Sequence, residues 1–119
     1  MEIKLKDFEK LNLKVGSIKA VKKHPQTKDY IILVDIGKTG ADKQVVVDLK
    51  GSYSMAELIG KKVVLVQNTE ISVVKGIESQ GLLLAASKNG RSILIEPPKT
   101  CVGAKVVGLS NKEFSFKEN

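Results

Sequence analysis

Cysteine, histidine, arginine and tryptophan are nearly missing from this chain, and each gap closes off a chemistry. Cys101 is the single cysteine and His24 the single histidine. No internal disulfide can form, and a metal would have to draw most of its ligands from carboxylates. No metal and no cofactor is therefore expected. No nucleophile–base pair, phosphate-cradling glycine loop or paired-acid constellation stands out, so the chain does not read as an enzyme and no residue is assigned a catalytic role. No apolar run approaches the roughly 20 residues needed to span a bilayer. The start, MEIKLKDFEK, lacks the apolar segment of a secretory signal; the expectation is a soluble, cytoplasmic protein without a membrane partner.

What is present is positive charge. The 119 residues carry 20 Lys and Arg against 13 Asp and Glu, a formal net charge of +7 and a pI near 9.5. A phosphate-rich partner is a reasonable first reading of such a balance. Every basic residue except Arg91 is a lysine. Lysine is a point charge without the bidentate fork of arginine, so the set suits phosphate oxygens better than guanine edges. The alternative is that the lysines only solubilise a surface, as in many heat-adapted proteins. Two tyrosines, three phenylalanines and no tryptophan leave few platforms for stacking bases, although Tyr30 could stack one if it faced a groove. A shortage of this kind favours folded RNA over unpaired strands.

Two-residue alternation of apolar side chains dominates the chain and predicts strands. Leu13 and Val15 alternate with Lys14, but the parity switches before Ile18 and Ala20, which predicts a bulge or bend at Gly16-Ser17. YIILVDIG and KQVVVDL read as second and third strands around a connection GKTGAD. Ser54 with Glu57 has the form of a capping box ahead of Leu58 and Ile59, with Gly60 as a stop, so a short helix follows. KKVVLVQN is a fourth strand, NTEISVVKGIESQG a loop, and LLLAAS a fifth strand, with Asn89-Gly90 turning it into RSILIE. Pro97-Pro98 ends the sheet. The predicted fold is therefore all-β: a five-stranded oligonucleotide/oligosaccharide-binding (OB-fold) Greek-key barrel, with one short helix between strands three and four and a C-terminal extension. The domain is placed at 1–108 and the tail at 109–119. Such a barrel binds ligands across strands two and three and with the loops after strands one and four, here His24 to Asp29 and Asn68 to Gly81.

One run breaks the alternation. Leu82, Leu83, Leu84, Ala85 and Ala86 are apolar on both faces, so something must cover the outside of the wall. Val102, Val106, Val107, Leu109, Phe114 and Phe116 are too many apolar residues for a free terminus. They either fold back on their own barrel or meet a second copy of it.

The blocks LKVGSIKAVKKHP, IGKKVVLVQN and KGIESQGLLLAAS, in that order and spacing, resemble the tRNA-binding domain family. That family comprises free-standing structure-specific tRNA-binding proteins and domains appended to methionyl-tRNA synthetases and multisynthetase cofactors. The resemblance runs from about Asp7 to Val107. It implies an OB-fold barrel that recognises the outer corner of tRNA by shape, often as a homodimer. By position it implies tRNA contact through Ser79 of the Glu78-Ser79-Gln80-Gly81 element, through Gln80, and through Leu82, where the family commonly has methionine. The asparagine closing the fourth strand is Asn68. The family then has several basic residues; this chain has TEISVV and keeps Lys75. In the first loop Lys28 precedes Asp29 where the family has the reverse order. Lys22, Lys23 and Lys28 nevertheless place three cations there, enough to track a phosphate backbone. An ordinary solvated strand end is the alternative for these lysines. A turn residue bonding its own backbone is the alternative for Ser79, and a loop cap for Asn68. His24, followed by Pro25, reads as a loop-orienting residue.

Two readings follow. The first is a noncatalytic tRNA-binding protein that assists or recruits to an aminoacyl-tRNA synthetase such as methionyl-tRNA synthetase, in a homodimer. The second is a protein-interaction module, similar to export-related chaperones or to synthetase scaffolds, using the apolar run and tail.

Overall fold

The structure is a computed structural model that describes residues 1–49 and 51–110. Strands β1 (Leu13–Lys23), β2 (Tyr30–Asp35) and β3 (Lys43–Val47) form an antiparallel meander, and β4 (Lys62–Val66) pairs with the other side of β1. A hairpin of β5 (Ser72–Val74) and β6 (Ile77–Ser79) follows, then β7 (Leu82–Leu83), which pairs with β4. The sheet order β3-β2-β1-β4-β7 is that of a nearly closed five-stranded barrel, as predicted. β8 (Ala85–Lys88) and β9 (Arg91–Leu94) make a separate ribbon.

β1 serves both halves of the barrel by bending. Its residues 13–17 pair with β4 and 17–23 with β2. The register shift falls between Ile18 and Ala20, so the extra residue is Lys19, beyond the predicted Gly16-Ser17. Gly16 is needed for another reason, since a Cβ there would collide with the Val34 side chain and lie 3.3 Å from the Asp35 carbonyl. The glycine is a close approach of two strands at the bend, and the bulge itself sits where Lys19 can point outward to Asp42.

The predicted helix is α2 (Met55–Leu58), reached after α1 (Leu5–Phe8), a single N-terminal turn without a sequence signal strong enough to predict it. At α2 the Glu57 N–H donates to Ser54 Oγ at 3.2 Å and the Ser54 N–H to Glu57 Oε1 at 2.7 Å. The Ser54 backbone N–H, aided by its hydroxyl, holds the Glu57 carboxyl below the usual carboxylate range. Leu58 is thereby delivered fully buried into the barrel core, with Ile18, Ile32, Val34, Val45, Val63 and Leu65.

β4 is buried on both faces. Val63 and Leu65 point into the barrel, whereas Val64 and Val66 form a second apolar cluster with Leu13, packed beneath Leu84 and Val106. The cover comes from the chain's own C-terminal segment. Val15 N–H donates to the Ala104 carbonyl (2.9 Å), Gly103 N–H to Val15 (2.7 Å) and Val106 N–H to Leu13 (3.0 Å), which lays residues 103–106 along the free edge of β1. Up to Val106 the C-terminal segment of the domain thus folds back on its own barrel. Val107 and Leu109 stay exposed, and residues 111–119, with Phe114 and Phe116, lie outside the described residues. LLLAAS is not one strand: it breaks at Leu84, where the chain leaves β4 and enters the β8–β9 ribbon. Leu82, Ala85 and Ala86 are exposed, so of the expected covered run only Leu83 and Leu84 are partly buried. Asn89 (φ 52°) and Gly90 (φ 76°) form the predicted two-residue turn of that ribbon, both central residues being left-handed as a type I′ turn requires.

Candidate nucleic-acid interface

Lys22 and Lys23 end β1, exposed and adjacent. Strand alternation sends them to opposite faces. Lys22 is level with Ile31 of β2 and Val46 of β3, and the Val46 N–H in turn donates to Ser79 Oγ. A row across the outer sheet face therefore runs from Lys22 to Ser79. Lys23 is level with Tyr30 and Val47, which pack on the barrel core, so it sits on the rim. Tyr30 is buried with its hydroxyl donating to the Tyr53 carbonyl at 2.9 Å; it packs the barrel and offers no stacking face.

The loop that follows is braced from within. His24 N–H donates to the Asp29 carbonyl (2.9 Å), Asp29 N–H to Thr27 Oγ1 (3.1 Å), and the Thr27 hydroxyl to the Asp29 carboxylate (2.8 Å). His24 is 4% exposed. Its Nδ1 accepts from the Gln26 N–H at 2.9 Å, and a backbone amide can only donate, so the ring proton is on Nε2. That N–H donates to the Val74 carbonyl at 2.8 Å. Lys28 leans away, its ammonium 3.1 Å from Asp48. Both partners are largely exposed, and such a surface pair is weak enough to be exchanged for a phosphate.

The segment read as a loop contains the β5–β6 hairpin. Lys75 (φ 47°) and Gly76 (φ 86°) form its two-residue turn, leaving the Lys75 side chain exposed at the tip. The hairpin is otherwise poor in cations: Ile71 and Val73 are 59% and 63% exposed, and Val73 stands opposite Glu78.

The polar triplet Glu78-Ser79-Gln80 closes the barrel. Gln80 N–H donates to the Gln44 carbonyl (2.7 Å), Gln44 N–H to Gln80 Oε1 (2.8 Å), and Gln44 Nε2 to the Glu78 carbonyl (2.8 Å). Ser79 Oγ accepts from Val46 N–H at 3.0 Å and donates at 3.5 Å to the Gly81 carbonyl. Side-chain oxygens thus satisfy the edge of β3 where a continuous strand ladder is absent. Ser79 is 6% exposed; its main partner is another strand, not its own turn. Ser79→Ala leaves the Val46 N–H without that acceptor, and a loss of about 1–2 kcal/mol is expected in denaturant unfolding. An unchanged midpoint would show that the hydroxyl has no part in closure.

Asn68 also bonds to the backbone, accepting from Asn12 N–H and donating to the Lys10 carbonyl, each at 2.7 Å. It pins the N-terminal segment and lies two residues past β4. Leu82 is 43% exposed and lines an open groove of about 590 Å³ with Val46, Thr69, Ser72 and Ser79. The structure therefore brings Ser79, Gln80 and Leu82 to one sheet edge, sets Lys22 two strands away on the outer face of the same sheet, and ties Lys75 to the first loop through His24. Lys28 and Asn68 are engaged elsewhere. Gln44 and the Val74 carbonyl escaped sequence reasoning because their partners lie 36 and 50 positions away. Among the described residues no cluster of three or more His, Cys, Asp or Glu could hold a metal, and no helix is long and apolar enough to cross a membrane.

A small barrel of this strand order, with a cation-bearing first loop bonded to the hairpin after β4, defines an OB-fold binding module. The chain belongs to the tRNA-binding domain family: the family model described as "Putative tRNA binding domain" matches residues 13–105. It is 44% identical over 106 residues to a methionine–tRNA ligase of Pyrococcus horikoshii, covering 87% of this chain and 14% of the ligase. The chain thus spans about one seventh of that relative's length. Two solved structures are similar. A MetRS related protein from Pyrococcus horikoshii has TM-score 0.81 and 34% identity, covering 89% of this chain and 99% of that one. A CsaA chaperone protein from Picrophilus torridus has TM-score 0.84 and 27% identity, covering 89% and 100%.

Proposed function

We propose that this chain is a noncatalytic, cytoplasmic module that binds folded tRNA by shape and phosphate contacts and assists or recruits to an aminoacyl-tRNA synthetase such as methionyl-tRNA synthetase. The observation that carries the reading is the junction of two loops: the lysines at 22, 23 and 28 and the lysine at 75 belong to segments bonded to each other, on the side of the barrel its fold class uses for ligands. Lys22, Lys23, Lys28 and Lys75 neutralise phosphates. Leu82 supplies an apolar contact at the sheet edge. Ser79 and Gln80 serve by holding the hairpin against β3, and Asn68 by anchoring the N-terminal segment. Kinship with methionine–tRNA ligases supports the synthetase connection. Exposed Leu5, Phe8, Leu11 and Val107, gathered at the meeting of the two terminal segments, support a homodimer.

A gel-shift series tests it. Folded tRNA should bind more tightly than either heat-denatured tRNA or plain duplex, and binding should weaken with salt. Equal affinity for all three would reduce the protein to a general polyanion binder. A second reading, a protein-interaction module, draws on the likeness to CsaA chaperones and on exposed Leu82, Ile93 and Ile95. Purified protein carrying polypeptide and no RNA absorbance would favour it.

A further inference from the structure

We propose that His24 is a positioning residue that fixes the distance between the two cation-bearing loops, and that folded tRNA is read through that distance. The inference rests on the tRNA-binding reading above. His24 directly follows Lys22-Lys23, and Val74 directly precedes Lys75. The Nε2–H···O=C bond between them, 2.8 Å long, is the hydrogen bond that joins the first loop to the β5–β6 hairpin among the described residues. The ring cannot turn to relax it. Its Nδ1 is held by the Gln26 N–H, the ring is almost wholly buried, and the loop around it is closed by the Thr27–Asp29 bonds.

The hairpin has no comparable hold at its tip among the described residues. Its clasp on β3 grips Glu78, Ser79 and Gln80, at the far end of β6 from Lys75. Without the histidine bond, Lys75 would swing about that clasp while Lys22 and Lys23 stayed with β1. A rigid RNA corner presents its phosphates at set spacings, so a hairpin free to swing must be ordered on binding, at a cost in affinity. A flexible single strand adjusts to either spacing. The ring therefore confers preference for folded RNA without touching RNA.

The two ring bonds can be separated. Asparagine at 24 keeps an acceptor near the Nδ1 position for the Gln26 N–H but cannot reach Val74; glutamine keeps a donor near the Nε2 position. His24→Asn should weaken folded tRNA by about tenfold, the size of one net hydrogen bond, and make the salt dependence shallower by about 0.9 in log K per log salt as one contact is lost. Its affinity for single-stranded polyuridylate should not change, and His24→Gln should restore most of the tRNA affinity. Thermal melts establish that both variants are folded. Wild-type affinity for tRNA in His24→Asn, or an equal loss for tRNA and polyuridylate in both variants, would overturn the inference and leave the functional reading intact. Failure of the wild-type chain itself to bind tRNA overturns the functional reading first, and this inference with it.

Discussion

Replacing Lys22 and Lys75 together by glutamate should lower affinity for folded tRNA about sixtyfold at roughly 0.1 M salt. Each phosphate contact on duplex releases about 0.9 of a counterion, which is worth roughly a factor of eight at that concentration, and two contacts multiply. The slope of log K against log salt should fall by about 1.8 for the same reason. The fold should survive. Both lysines are exposed, neither forms an ion pair among the described residues, and surface changes of this kind typically move stability by about 0.5 kcal/mol. Glutamate at 75 meets the same positive φ that lysine already tolerates there. An unaltered salt slope in the double variant would remove phosphate neutralisation by these loops from the mechanism. Loss of folding would mean that the charges serve the barrel.

Gly81→Val is expected to damage the fold severely. A Cβ at Gly81 would sit 2.7 Å from the Val66 carbonyl and 3.2 Å from Leu65 Cδ1. The first is backbone of a central barrel strand and the second belongs to a fully buried side chain; neither can move aside without disturbing its neighbours. The glycine also lies between the clasp on β3 and the β4–β7 pairing at Val66 and Leu82, so pushing it outward strains both joints that close the barrel. A cost of about 3 kcal/mol, the upper range for overpacking, is expected in equilibrium unfolding. A midpoint within error of the wild type would show that the closure yields freely at this point.

Several elements were legible residue by residue because their causes are local. The capping box at Ser54 and Glu57 spans four residues, and the turn at Asn89-Gly90 spans two. The strands of the meander announce themselves by alternation, since one face of each meets the core. The β5–β6 hairpin was missed for the opposite reason: in TEISVVKG Ile71 and Val73 are exposed, so burial and pattern do not coincide, and its turn is led by a lysine at positive φ where Asn or Gly would have signalled it. The bulge lies beyond the predicted position because parity shows that a strand slips but not where the slack is taken up. Glu78-Ser79-Gln80 reads as a contact surface in sequence because polar residues in a loop ordinarily face solvent. Only the approach of β3 turns two of those side chains inward.

By itself the amino-acid sequence determined a small basic all-β domain of the tRNA-binding kind. Those properties follow from composition, period and short motifs, each of which acts between near neighbours. The tertiary structure alone decided how the barrel shuts, which face residues 103–106 cover, and that a lone histidine joins the two loops. Each of these is a hydrogen bond or packing contact between segments tens of residues apart, and its partner becomes defined only when the chain has closed on itself.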